Sequence, residues 1–188
     1  EDGIMIGKKN IVFGFLYLVL TASLGPYMLI TLFPAVGPVQ AEKQAALGRL
    51  QALKSSQFEE ELEPLTDGQI ARANTDGILA LNKLANAEQP IDSLKSGPHA
   101  HGNLEALLNI VAGVVLCFIA VAPLFKQIIS WVFIAGALLH SGMLYLRSFG
   151  VAWADLLLPL GPWLVLLGLL LIGIAALIGF RGEVIKDH

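Results

Sequence analysis

The chain has 188 residues, of which 55% are hydrophobic and 14% charged, against about 25% charged in an ordinary soluble domain. Mean hydropathy is +0.69, which excludes a disordered chain, a collagen-like repeat and a typical soluble enzyme. The single Cys excludes a disulfide-stapled fold and any paired-cysteine zinc or redox motif, and a net charge of −3 argues against a nucleic-acid partner.

Residues 1–10 open the chain. Residues 1–4 precede the first Met and are expected to be an appended remnant. No Lys, Arg, Asp or Glu lies between Lys9 and Glu42, so the first spanning helix is predicted over 11–33. A span needs about 20 mostly apolar residues. This apolar run exceeds the roughly 7–15 residues of a signal-peptide core, so it is read as a retained helix.

Residues 34–103 are different material. Six Lys/Arg and ten Asp/Glu fall between Glu42 and Glu105. Ala45, Leu47, Leu50 and Leu53 predict a short amphipathic helix near 40–55. The acidic run Glu59-Glu60-Glu61 with Glu63 reads as a solvated face. Thr66 followed by Gln69 forms a capping box. It opens a helix expected to bury Ile70, Ala73, Ile78, Leu81 and Leu84 and to stop before Pro90. Ser93 to Pro98 reads as a hinge. Two such helices cannot build an independent core, so contact with the membrane helices or another subunit is expected.

Three further uncharged stretches predict spans at 104–125, 127–146 and 156–180, followed by a short tail at 181–188. Helix is the only choice, because lipid offers no partner to an open strand edge. Lys8, Lys9, Lys126, Arg181 and Lys186 place both termini on the cytoplasmic side by the positive-inside rule. The fold class expected is therefore an all-α integral membrane protein of a bacterial-type inner membrane. It has four transmembrane helices, with an extracytoplasmic helical insertion between the first and second.

The chemistry gathers at the outer end. His99 and His101 stand one residue apart at the mouth of the second span, and Glu105 and Asn109 follow His101 on one helical face. His140 lies seven residues before Arg147, about 10 Å below the outer end of its helix. Met28 and Met143 fall in the same outer slab, whereas His188 lies in the tail. Imidazole suits Cu, Zn and Fe, and thioether selects Cu(I). His101 and His140 are thus candidate cofactor ligands, with His99, Glu105, Met28 and Met143 as further candidate metal ligands. Copper or haem b is the expected cofactor, with zinc behind them. A haem or an inward bend of 98–103 would have to close the depth difference. The bland alternatives are a hydrated helix cap for His99 and His101, and an anion at a helix N-terminus for Glu105. Arg147 and Asp155 read as an anchoring pair, and Gly161-Pro162 as a kink in the fourth span.

The function expected is a metal- or haem-binding component of a membrane redox, oxygenase or respiratory complex. The alternative is a non-catalytic accessory subunit that docks against larger partners. Membrane lipid and either other membrane subunits or further copies of this chain are the expected partners. No residues are assigned to catalysis, and no nucleotide-binding, serine-hydrolase or HExxH motif occurs.

Overall fold

The computed structural model describes residues 5–60 and 63–185, so His188 lies outside the described residues. In chain order the helices are α1 (Gly7–Ala22), α2 (Leu24–Tyr27), α3 (Phe33–Ser55), α4 (Asp67–Leu94), α5 (Ala100–Leu116), α6 (Pro123–Ala137), α7 (Met143–Ser148), α8 (Ala154–Leu157) and α9 (Leu160–Gly179). Wider π-helical turns cover Met28–Leu32, Lys95–His99 and Leu138–Gly142, and β1 (Glu59–Glu60) pairs antiparallel with β2 (Glu63–Pro64). Among the described residues the regular structure is helical apart from that ribbon and one antiparallel bridge between Ile119 and Phe180. Three helical stretches, Gly7–Ser55, Pro123–Ser148 and Ala154–Gly179, are long and apolar enough to cross a membrane. Helix α5 ends a continuous helical stretch that starts at Asp67; that stretch is long enough but is not among the three, and its α5 part carries the polar residues His101, Asn103, Glu105 and Asn109.

The chain divides into two compact units, one of residues 1–26 and 93–188, the other of residues 27–92. In the second unit, the capping box forms as the Thr66 and Gln69 spacing predicts. Thr66 N donates to Gln69 Oε1 at 2.8 Å, and Gln69 N donates to Thr66 Oγ1 at 3.4 Å. Helix α4 does not stop before Pro90 but runs through it to Leu94, and 93–98 is helical where a hinge was expected. A proline costs a helix one hydrogen bond, and a π turn at Lys95–His99 absorbs the second one, Pro98, without breaking the chain direction.

The buried face of α4 also differs from the expected one. Ala73, Ala80, Leu84 and Ile91 are buried, while Ile78 and Leu81 are exposed. Small residues decide the register: Leu50 of α3 lies against Gly77, a contact a larger side chain would prevent. Lys83 with Glu42, at 2.5 Å, and Arg49 with Glu60, at 3.4 Å, tie the same unit at its surface.

In the first unit, α1, α5, α6 and α9 pack side by side. Helix α1 buries Gly7, Asn10, Gly14, Tyr17 and Thr21, a three-four spacing that keeps one stripe on one face. That stripe meets Gly102, Ala106, Asn109 and Gly113 of α5. At Gly113 an added Cβ would stand 2.6 Å from the Gly7 carbonyl oxygen, so the backbones approach as small-residue membrane helices do. An apolar core of Ala112, Leu116, Ile119, Ile129, Phe133 and Ala175 fills the end of this unit where α5 ends and α6 begins. There Arg181 N donates to Phe118 O and Ile185 N to Cys117 O, each at 2.7 Å, so 181–185 is stitched to the α5–α6 turn. Lys126, expected in that turn, lies in the first turn of α6 and is fully buried.

Candidate metal centre

Asparagines and hydroxyls line the inside of the first unit. Asn10 Nδ2 donates to Asn109 Oδ1 and to Ser130 O, each at 3.0 Å, and Ser130 Oγ bonds to Asn10 Oδ1. Asn109 Nδ2 in turn donates to Glu105 O and Phe133 O. Among the described residues no buried side-chain nitrogen or oxygen lacks a hydrogen-bond partner, which is what a dry interior demands.

One helical turn above Asn109 stands Glu105, with 3% of its surface exposed. Its Oε2 accepts from Ser141 Oγ at 2.5 Å and from the Ser141 backbone N at 3.3 Å. Its Oε1 faces His140 Nδ1 at 2.5 Å. Tyr17 OH lies 2.8 Å from Ser141 Oγ and donates to Ala137 O at 3.3 Å. A polar chain therefore runs from His140 through Glu105 and Ser141 to Tyr17. The helix-terminus account of Glu105 fails, because residues 93–104 are already helical ahead of it and leave no free N–H groups there. Side chains of the facing helix satisfy the carboxylate instead.

The 10 Å depth difference is closed without a bend at 98–103. The ring centroids of His101 and His140 are 4.7 Å apart, at an interplanar angle of 53°. Ligand atoms of His101, Glu105 and His140 all lie within 4.8 Å of one another. Two local features bring this about. The π turn Leu138–Gly142 swings the adjacent positions 140 and 141 to the same side, where both reach Glu105. Gly161 then lets α9 lie directly on the His140 backbone: a Cβ there would sit 2.3 Å from His140 N. Close approach is what Gly161 provides, while the break expected in the fourth span falls between α8 and α9.

The remaining candidates are placed elsewhere. His99 Nδ1 lies 3.0 Å from Thr21 O, with its ring against Gly25. It is not one of the three grouped ligands. Met143 begins α7 and is half-buried. Met28 is buried in the 27–92 unit. Arg147 Nε and Asp155 Oδ1 pair at 3.3 Å as expected, both largely exposed. Ser141, Tyr17 and Asn10 are polar partners the sequence reading passed over. The available signal was Asn10, Tyr17 and Thr21, seven and four residues apart and so on one face of an otherwise apolar helix. Compared with protein-family models, with curated proteins and with solved structures, the chain finds no match.

Proposed function

We propose that the protein is a four-span membrane protein holding one transition-metal ion at His101, Glu105 and His140, near the extracytoplasmic end of its helices. The observation that carries the reading is the convergence of two imidazoles and one carboxylate from two helices within 4.8 Å. Two His and one carboxylate leave coordination positions open, as in catalytic zinc sites and non-haem Fe(II) centres. The grouped set contains no thioether, so zinc or Fe(II) is favoured over the copper expected from the sequence. Haem is disfavoured as well. Glu105 fills the space beside His140, and rings 4.7 Å apart leave no slot for a macrocycle between them.

The spans of this reading fall within 11–33, 104–125, 127–146 and 156–180, the second ending earlier than expected because α5 stops at Leu116 and α6 starts at Pro123, with 34–103 outside and both termini cytoplasmic. The antiparallel contacts of α1 with α5 and of α6 with α9 support it. Glu105 also orients His140, and Ser141, itself in contact with Tyr17 OH, fixes the carboxylate. The open positions favour a reaction on a metal-bound ligand over a purely structural ion. An accessory role is the second reading. It is favoured by Ile78, Leu79 and Leu81, which leave an exposed apolar face on α4.

Metal analysis of the purified chain is the test. About one equivalent of zinc or iron is expected, with most of it lost in His101→Ala and His140→Ala and retained in His99→Ala. Equal metal content in all four proteins, or a haem spectrum, overturns the proposal.

A further inference from the structure

At the opposite end of the first unit, α1 and α6 leave an open cavity of about 470 Å³ between them. Its lining divides by chemistry. Lys8, Lys9 and Gln127 supply its polar groups, with Met5 and Ile6 before the lysines in the chain and Val12 and Phe13 after them, and among the described residues no acidic group contributes to it. Lys9 Nζ donates to Gln127 Oε1 and sits over the Trp131 ring, 4.3 Å from its centroid. That ammonium is thereby held at the rim rather than free to swing into water. Below it the apolar wall is continuous with the outer face of α1, where Val12, Leu16 and Val19 are 49%, 68% and 71% exposed.

We propose that this groove binds one anionic phospholipid. The phosphate would lie against Lys8 and Lys9, and one acyl chain along Val12 and Phe13. Lysines set beside an apolar channel are complementary to a lipid, which joins an anionic phosphate to an acyl chain. A free anion would leave the apolar part unused. Basic pockets between membrane helices bind anionic headgroups through such charge complementarity, each Lys near the surface adding to the attraction. The inference depends on the membrane reading of the helices but not on the metal centre.

The test uses the full chain in a neutral detergent, titrated with phosphatidylglycerol, phosphatidylcholine or inorganic phosphate and followed by native mass spectrometry and thermal melting. One tightly retained phosphatidylglycerol and a raised melting temperature are expected, with no shift from phosphatidylcholine or phosphate. The double variant Lys8→Ala/Lys9→Ala should weaken retention roughly tenfold or more. Val12→Trp keeps both charges but fills the channel, and should weaken it as well. Lys54→Ala, exposed in the other unit, serves as the unaffected control. Equal retention of the two lipids, competition by inorganic phosphate, or undiminished retention in either the double variant or Val12→Trp overturns the proposal.

Discussion

Gly161→Ala tests whether the close packing of α9 on α6 is what sets the position of His140. The added Cβ would lie 2.3 Å from His140 N and 2.5 Å from both its Cα and Cβ. Carbon contacts are most favourable at about 3.5–4.0 Å, so the two backbones must separate by roughly 1 Å. All three nearest atoms belong to His140 and none is the end of a flexible side chain, so the helices themselves must move. Overpacking of this kind costs about 1–3 kcal/mol. With about 2–4 °C of melting temperature per kcal/mol in a chain of this size, a fall of roughly 2–12 °C is expected. The displacement falls on a ring nitrogen 2.5 Å from the Glu105 carboxylate, so metal content should drop along with stability. Gly173→Ala is the matched control on the same helix, where a Cβ meets nothing within 4 Å. There the melting temperature should hold or rise slightly, since Ala favours helix by up to about 1 kcal/mol over Gly. Equal melting temperatures and equal metal content in the two variants would refute the reasoning.

Replacing Glu105 and His140 together by Leu should leave the helices as stable as before or more so, because exchanging a buried ionic pair for apolar groups is often neutral or stabilising by about 1–4 kcal/mol. The double variant should bind no metal, while His140→Leu alone should be destabilised, as its melting curve would show. Asn10→Leu removes the donor to Asn109 and Ser130 O and should cost about 1–3 kcal/mol for the acceptors left dry, measured by denaturant or thermal unfolding. In intact cells, Ser56→Cys should react with an impermeant thiol reagent and Gly182→Cys should not, both positions being exposed on the chain. The reverse labelling pattern would invert the proposed topology. Ser130, which looks like a suitable inward probe from its place in the sequence, is fully buried against Asn10 and reports nothing.

Apolar stretches and capping residues were legible from the sequence because they act locally. The all-helical character follows from charge-free runs, and the Thr66–Gln69 box needs only four consecutive residues to form. The pairing of His101 with His140 was legible as a shared depth, but not as a contact. Closing the distance depends on a π turn at Leu138–Gly142 and on Gly161, seen only once α9 is placed beside α6. Ile78 and Leu81 suggest a core because they are large and apolar. The packed face instead uses Ala73, Gly77 and Ala80 together with Leu84 and Ile91, because helices in close approach need small residues at the contact as well as apolar ones. Proline follows a similar logic. Pro90 stops a helix on local grounds, yet a proline-containing helix continues where packing and a wider turn repay one lost hydrogen bond.

The cost of burying Glu105 bears on whether its cluster is structural or functional. A carboxylate at 3% exposure loses its hydration, and its attraction to a partially buried His140 returns that cost only when the geometry is good and the remaining lone pairs are filled. Here three of its roughly four lone-pair sites are taken, by Ser141 Oγ, by the Ser141 backbone and by His140. The arrangement is therefore tolerable, but an apolar residue of similar volume would hold the helices at least as well. Structural need also does not explain His101. Its ring lies 4.7 Å from His140 yet is exposed, so it buries little surface. The buried asparagine layer of Asn10 and Asn109 already sets the register of α1 against α5 one turn deeper. A second, costlier polar layer that leaves one imidazole exposed adds nothing to that register. It does place ligand atoms of two imidazoles and one carboxylate within 4.8 Å of one another, as the proposed metal site requires.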